Sequence, residues 1–420
     1  MTERPNYDDM VRQALMRGLT QRRVTRRDLF KYAGVGAGSL SLASILAACS
    51  VKGAKKTEPT GPTTLPETAG KVDIANWPLY IDKEGKNAAG VVKGGTVADF
   101  EKATGIDTRY VETINDNEEF FGTDIRSQLG SDQPTGWDII TMTDWMIAKL
   151  IDLGFLEKLH HDKLPNVTAN IQDAFVNPWF DPNNEHSFPW AAGLTGIGYD
   201  RNKTGRDIDS IEDLFDPAFE GKIGMFSEMR DTYNFIFFKM GIDPVTATEE
   251  DVAEATTILE QQRPLVRGYY GNDYTDQLAA GNVWLTMAWS GDLFALQLGQ
   301  ADDQDLRWIL PKEGGNRWSD NMAIPILAEH PADAHDWMNF VYDPKIATQI
   351  TEWVWYESPV KGVQEMIAED GKDHPNMALL AEDQFVWPSA EVLANTAPYK
   401  RLDSAEEAVW QDHFDRVVLG

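Results

Sequence analysis

The chain has 420 residues, a single cysteine, 42% hydrophobic residues and 14 tryptophans, and its formal net charge is -29. That charge disfavours nucleic acid and anionic lipid headgroups as partners and favours cations. One cysteine excludes an internal disulfide and a cysteine-based metal cluster.

The first elements read as an export signal. Thr25-Arg26-Arg27-Asp28-Leu29-Phe30-Lys31 has a twin-arginine layout, and a Gly- and Ala-rich apolar run follows over 32–48. The run is short for a transmembrane helix and ends in Leu46-Ala47-Ala48-Cys49, the form of a lipobox. Cys49 is therefore the expected lipid carrier, which would hold the mature protein on the outer face of the cytoplasmic membrane. Residues 49–70, rich in Lys, Thr, Pro and Gly, read as a flexible tether. Residues 1–48 hold eight Lys/Arg and four Asp/Glu, so the rest of the chain carries a net charge near -33.

The roughly 350 residues that remain are too many for one small core and suit two lobes. Strand and helix patterns alternate, as expected for an α/β fold. A short strand over 72–75 runs into Asn76-Trp77-Pro78-Leu79-Tyr80. A helix over 96–104 is stopped by Gly105, and a strand over 106–111 and a helix over 117–129 follow. After a buried strand at 137–142, Thr143 is placed to cap a helix over 144–153. The run 188–199 is extended and Gly-rich. Then come a strand at 222–225, a helix at 230–240, a charged amphipathic helix at 248–262 and a strand at 283–288. Helices over 332–341, 345–353 and 405–418 close the chain. The extended runs 188–199 and 321–328 fit two crossovers between lobes, with a ligand cleft between them. The expected division is 71–190 plus 320–362 for one lobe and 191–319 plus 363–420 for the other.

Chemistry-bearing residues favour binding over catalysis. The chain has no dinucleotide fingerprint with an acidic ribose contact, no P-loop, no Ser-His-Asp layout and no HExxH, so neither an enzyme nor a cofactor site is expected. Trp318 and Asp320 are two apart at the start of an extended run, which turns both side chains the same way. An indole face beside a carboxylate can hold a cation on an apolar stem, although a buried tryptophan with a turn-capping aspartate has the same spacing. Glu228 and Asp231 share a face at the start of the helix over 230–240. The positive helix N-terminus would help keep both ionised, although solvated first-turn acids are common there.

Several motifs then occur in one order: Asn76-Trp-Pro-Leu-Tyr80, Trp137-Asp-Ile-Ile140, Pro189-Trp-Ala-Ala-Gly-Leu-Thr-Gly-Ile-Gly198, Met287-Ala-Trp-Ser-Gly-Asp292, Pro311-Lys-Glu-Gly-Gly315 with Trp318-Ser-Asp320, and Tyr356-Glu-Ser-Pro359. From about Val72 to Gly420 the series resembles the spermidine/putrescine-binding proteins of ABC importers. The resemblance implies a two-lobed periplasmic-binding-protein type II fold, closure on a linear polyamine and delivery to permease subunits, with the chain acting as a monomer. By position it implies a polyamine site made of Trp77, Tyr80, Thr143, Trp145, Glu228, Asp231, Trp289, Trp318, Asp320 and Tyr356. Three positions depart from the family pattern: Trp145 stands for tyrosine, Glu228 for aspartate and Arg401 for a late glutamine.

Two rival readings share the lobes and the export signal. A sugar-binding protein would place amide and arginine donors on its ligand. A ferric-ion-binding protein could use an adjacent tyrosine pair such as Tyr269-Tyr270. No other metal site is expected.

Overall fold

The computed structural model describes residues 64–419. The export signal, Cys49 and most of the tether lie outside the described residues. Among the described residues, no helix is long and apolar enough to cross a membrane.

Ten strands form one sheet. They are β1 (Lys71–Asn76), β2 (Asp107–Glu112), β3 (Ile139–Thr143), β4 (Ser187–Asp200), β5 (Ile223–Phe226), β6 (Val266–Tyr270), β7 (Leu285–Trp289), β8 (Leu306–Ile309), β9 (Gly315–Ala323) and β10 (Thr396–Ala397). Their order is β2-β1-β3-β9-β4-β7-β5-β6, with β8 also on β4 and β10 also on β9. Pairing is parallel between β1 and both β2 and β3, and among β5, β6 and β7. It is antiparallel wherever β4 or β9 meets the others, except at β10.

The helices that matter for the site are α1 (Gly95–Thr104), α2 (Asn117–Phe120), α3 (Asp144–Leu153), α4 (Met229–Met240), α5 (Glu249–Gln262), α6 (Ser290–Leu298), α7 (Pro331–Val341), α8 (Pro344–Val354), α9 (Val363–Asp370), α10 (Pro375–Glu382) and α11 (Ser404–Leu419). Local chemistry explains their ends. Gly105, Gly154 and Gly241 take left-handed φ at the C-caps of α1, α3 and α4. Thr248 and Asp251 form a reciprocal capping box at the start of α5. The helix expected over 117–129 passes through a π-helical turn, Phe121–Ile125, before Arg126–Leu129.

Apolar packing separates two cores. One gathers Val72 and Ile74 of β1, Met142 of β3, Leu150 of α3 and Trp337 of α7. The other gathers Met225 of β5, Phe235 and Phe237 of α4, Leu259 of α5 and Phe414 of α11. β4 joins them: its first half lies against β9, and its second half lies against β7 and β8.

Two expectations differ from the structure. The second crossing strand is β9, which begins at Gly315 and ends at Ala323, whereas the apolar run suggested 321–328. Its first half is polar but buried, so hydrophobic patterning hides it. The segment from Val363 to Val386, expected in the second lobe, packs into the first core. Val363 and Ile367, one helical turn apart on α9, are fully buried there, and Met377 and Leu380 of α10 join them. Phe385, Val392 and Leu402 touch the second core, and α11 carries the end of the chain fully into it.

Trp337 is fully buried, with Phe100 edge-on at 5.1 Å and Trp190 parallel at 6.5 Å. Trp337→Ala should cost about 3–5 kcal/mol of stability, read from denaturant unfolding.

Candidate functional site

All ten residues expected at a ligand site line one cavity between the two cores. Trp77 and Tyr80 come from the loop after β1, Thr143 from the end of β3 and Trp145 from the first turn of α3. Glu228 and Asp231 lie at the start of α4, and Trp289 ends β7. Trp318 and Asp320 lie on β9, and Tyr356 follows α8.

The loop after β1 is held by its neighbours. Asn76 Oδ1 accepts the Trp77 N–H at 2.7 Å, and Glu112 accepts the Leu79 N–H at 2.8 Å. Leu79 has φ of 65°, a strained value for leucine, and it turns the chain so that Tyr80 enters the cavity. The Trp190 indole donates to the Tyr80 carbonyl at 3.0 Å.

Asp320 is buried and takes two hydroxyl donors, Tyr80 at 2.8 Å and Thr143 at 2.7 Å. Thr143 stands directly across from Asp320 in the β3–β9 ladder, so their bond is a cross-strand pair. The Thr143 side chain was expected to cap α3. It occupies the N-cap position, but its hydroxyl serves Asp320 and accepts from Asn117 at 2.9 Å. Immediately after Asp320 the β9–β4 register slips, a bulge of the kind that re-aims side chains.

Trp318, Tyr356 and Tyr80 form a chain of rings, with centroids 5.2 Å and 5.9 Å apart. Two glycines make room for it. A Cβ on Gly193 would lie 2.6 Å from the Trp318 ring, and one on Gly291 would lie 2.7 Å from Tyr356. On the opposite side, Phe226 and Tyr274 flank Trp289 at 4.6 Å and 5.6 Å.

Glu228 is the N-cap of α4 and accepts the Asp231 N–H at 2.6 Å. Asp231 is buried, and one of its oxygens takes Thr195, Asn316 and Tyr399 at 2.8, 2.6 and 2.9 Å. The helix N-terminus was expected to keep both acids ionised. Burial, with the charge of Asp231 adding, instead pushes Glu228 up to about 8, and burial also raises Asp231. Desolvation outweighs the local dipole because these carboxylates sit inside a cleft and not on a solvated helix end. Burial likewise moves Asp320 to about 6.

Two further acids line the cavity, Asp116 and Asp292. Asp292 accepts from the hydroxyls of Tyr356 at 2.9 Å and Tyr274 at 3.1 Å. It ends the Met-Ala-Trp-Ser-Gly-Asp motif, and its place in the first turn of α6, after the strand carrying Trp289, was the available signal. Tyr399 was missed because nothing local marks it. Among the described residues, the lining thus holds five carboxylates (Asp116, Glu228, Asp231, Asp292 and Asp320) and no Lys, Arg or His.

Three expectations change. One face of Trp145 is covered by the Arg230 guanidinium, 3.6 Å from the ring centroid, so that face offers no seat to a ligand cation. Arg401 is not part of the lining; it pairs with Asp152 at 2.6 Å. Tyr269 and Tyr270 are consecutive on β6 and point apart: Tyr270 reaches the cavity, while Tyr269 packs edge-on to Phe414. They do not converge on one ion.

The sequence pattern of the bacterial extracellular solute-binding proteins matches residues 95–401. The chain belongs to this family. It is therefore a solute-binding protein and not an enzyme. It is 27% identical to spermidine/putrescine-binding periplasmic protein 1 of Haemophilus influenzae, over 87% of this chain and 93% of that one. It is 25% identical to the spermidine/putrescine-binding periplasmic protein of Escherichia coli, over 82% and 90%. The fold matches that of the spermidine/putrescine ABC transporter substrate-binding protein PotD from Streptococcus pneumoniae, with a TM-score of 0.67 and 24% identity over 83% and 98% of the two chains. This solute-binding protein thus has the two-lobed periplasmic-binding-protein type II fold, with the acidic cavity between its cores.

The raised Glu228 carboxyl has a consequence for stability. Its folded-state value exceeds the ordinary 4.5, so the empty protein loses stability as pH climbs from 4.5 to about 8. Glu228→Gln keeps an oxygen for the cap and removes the charge. The variant should melt several degrees above the parent at pH 8 and match it at pH 4.5, as read by calorimetry without solute.

Proposed function

We propose that this extracellular solute-binding protein takes linear polyamines of the spermidine/putrescine type and delivers them to the permease subunits of an ABC importer. The observation that carries the reading is the cavity lining: five carboxylates, no basic side chain, and aromatic rings between the acids. A polyamine alternates ammonium groups with methylene spans. Carboxylates answer the first, and the faces of Trp77, Trp289 and Trp318 and the rings of Tyr80 and Tyr356 answer the second. Each ring adds about 0.5–2 kcal/mol of cation–π attraction. Thr143 acts through Asp320, whose carboxylate it holds, and Trp145 contributes an edge of the wall. The names of the relatives point the same way. A sugar would want arginine donors, which the lining lacks.

The twin-arginine run and Cys49 add the rest of the proposal. The protein is exported folded and held by lipid on the outer face of the cytoplasmic membrane, and it works as a monomer.

Spermidine or putrescine should raise the melting temperature at low salt, whereas maltose and ferric citrate should not; the absence of any polyamine shift would rule the reading out. Asp320→Asn leaves the ammonium without its charged partner and should weaken binding by about thirtyfold or more in calorimetry.

Binding should also depend on pH. Below about 8 the Glu228 carboxyl holds a proton that a bound ammonium displaces. Affinity should therefore rise from pH 6 to pH 8, by about tenfold per unit at most, with proton release detectable by titration in buffers of different ionisation heat. A flat profile would remove Glu228 from the site.

A further inference from the structure

Three basic residues outside the cavity lining, Lys149, Arg230 and Arg401, lie along the contact between α3 and the second lobe. α3 belongs to the first core, where Met146, Ile147 and Leu150 bury its inner face. Its other face carries Trp145, Lys149 and Asp152, spaced by four and three residues and so aligned in one stripe. Each member of the stripe meets a group on an element of the second lobe or on the segment leading into one. Arg230 of α4 stacks on Trp145 at 3.6 Å. Glu407 of α11 pairs with Lys149 at 2.8 Å. Arg401, just ahead of α11, grips Asp152 with two nitrogens at 2.6 and 3.1 Å.

The contacts are graded in exposure. Arg230 and Glu407 also pair with each other, and their side chains are 6% and 17% exposed. Lys149 is 18% exposed and shares a further bond with Glu118 of α2 at 2.9 Å. Asp152 and Arg401 form the outer rim, at 55% and 39% exposed. The inner contacts are shielded from salt, and the rim pair is screened by it. Trp145 is itself part of the first core, whereas the charged pairs Lys149–Glu407 and Asp152–Arg401 lie outside both cores. The lobes are further joined through β4 and β9 and by hydrogen bonds of Asn272 to the Asn115 carbonyl at 3.4 Å and of Tyr356 to Asp292 at 2.9 Å. Separation of the lobes would break the three cross-lobe contacts while leaving Arg230–Glu407 and Lys149–Glu118 intact.

We propose that the α3 stripe and its partners Arg230, Glu407 and Arg401 form a charge latch that holds the lobes together and sets the population of the closed form before any solute binds. Arg401 then has a defined role: a basic group outside the cavity that fastens the rim of the cleft. The latch opposes opening, so it slows solute release and raises affinity without touching the solute. It makes the closed population fall as salt rises.

The test uses the solute-free protein, so it stands apart from the identity of the solute. Lobe separation is read by small-angle scattering and by the distance between spin labels placed on α1 and α5. The variants are Arg401→Asp, Asp152→Arg and the double exchange; these exposed positions leave both cores untouched, and circular dichroism and melting confirm the fold. With a rim pair of ordinary strength, each single reversal should lower the closed population about threefold to tenfold at low salt. The exchange should restore it, and Glu407→Gln should lower it further. High salt should bring the parent to the value of the single variants. An unchanged lobe distance in Arg401→Asp and Glu407→Gln at low salt, or an exchange that fails to restore a distance the single reversals changed, overturns the latch.

Discussion

Carboxylates withdrawn from water and held in place by neutral donors are the constraint on which the rest of the cleft depends. Asp320, Asp231 and Asp292 are held by hydroxyls and one amide: Tyr80 and Thr143, then Thr195, Tyr399 and Asn316, then Tyr274 and Tyr356. Neutral donors fix the position of a carboxylate and satisfy its lone pairs without cancelling its charge. Desolvation is therefore only partly offset, as the raised values of Glu228, Asp231 and Asp320 show. Such a site is an imperfect home for itself and a good one for a cation. The stability given up in the empty protein reappears as discrimination among solutes.

The backbone arranges these acids where the two cores meet. β9 brings Asp320 against β3 of the first core, while Asn316 four residues earlier reaches Asp231 of the second. β4 does the same with Thr195, which donates to Asp231 at the point where the strand leaves β9 for β7. Asp320 and Asp231 are thus both tied to strands that the two lobes share, and occupancy of the cleft and the relation of the lobes become one equilibrium. Positive charge is sorted to the opposite place. Arg230, one residue from Asp231, turns away from the cavity to Trp145 and Glu407. Opposite signs so close in the chain are separated in space by the helix, whose successive residues point in different directions.

The legible part of the site was set by residue type and order. The ten residues named from motifs converge on one cavity, because strand ends and helix starts in this fold all face the same crevice. What each residue does there was less legible. Thr143 stands where a capping residue belongs, yet its hydroxyl finds a carboxylate 177 positions away. Trp145 has the ring of a cation wall, but a guanidinium of its own protein takes one face. Asp292 closes the Met-Ala-Trp-Ser-Gly-Asp motif, and the hydroxyls of Tyr274 and Tyr356 that reach it show its place in the cleft.

By itself the sequence determined the elements whose apolar periodicity is strong, the order of the motifs, and the acid-rich and aromatic character of the ligand site. These are properties of short stretches, where spacing and side-chain chemistry act without reference to distant residues. Tertiary structure alone decided that 363–386 joins the first core, that β9 begins in a polar run, that the first-turn acids of α4 resist ionisation, and that Arg401 fastens Asp152 and lines nothing. Burial and long-range pairing govern all four. Both are set by which surfaces meet once the chain has folded, and no local pattern encodes that.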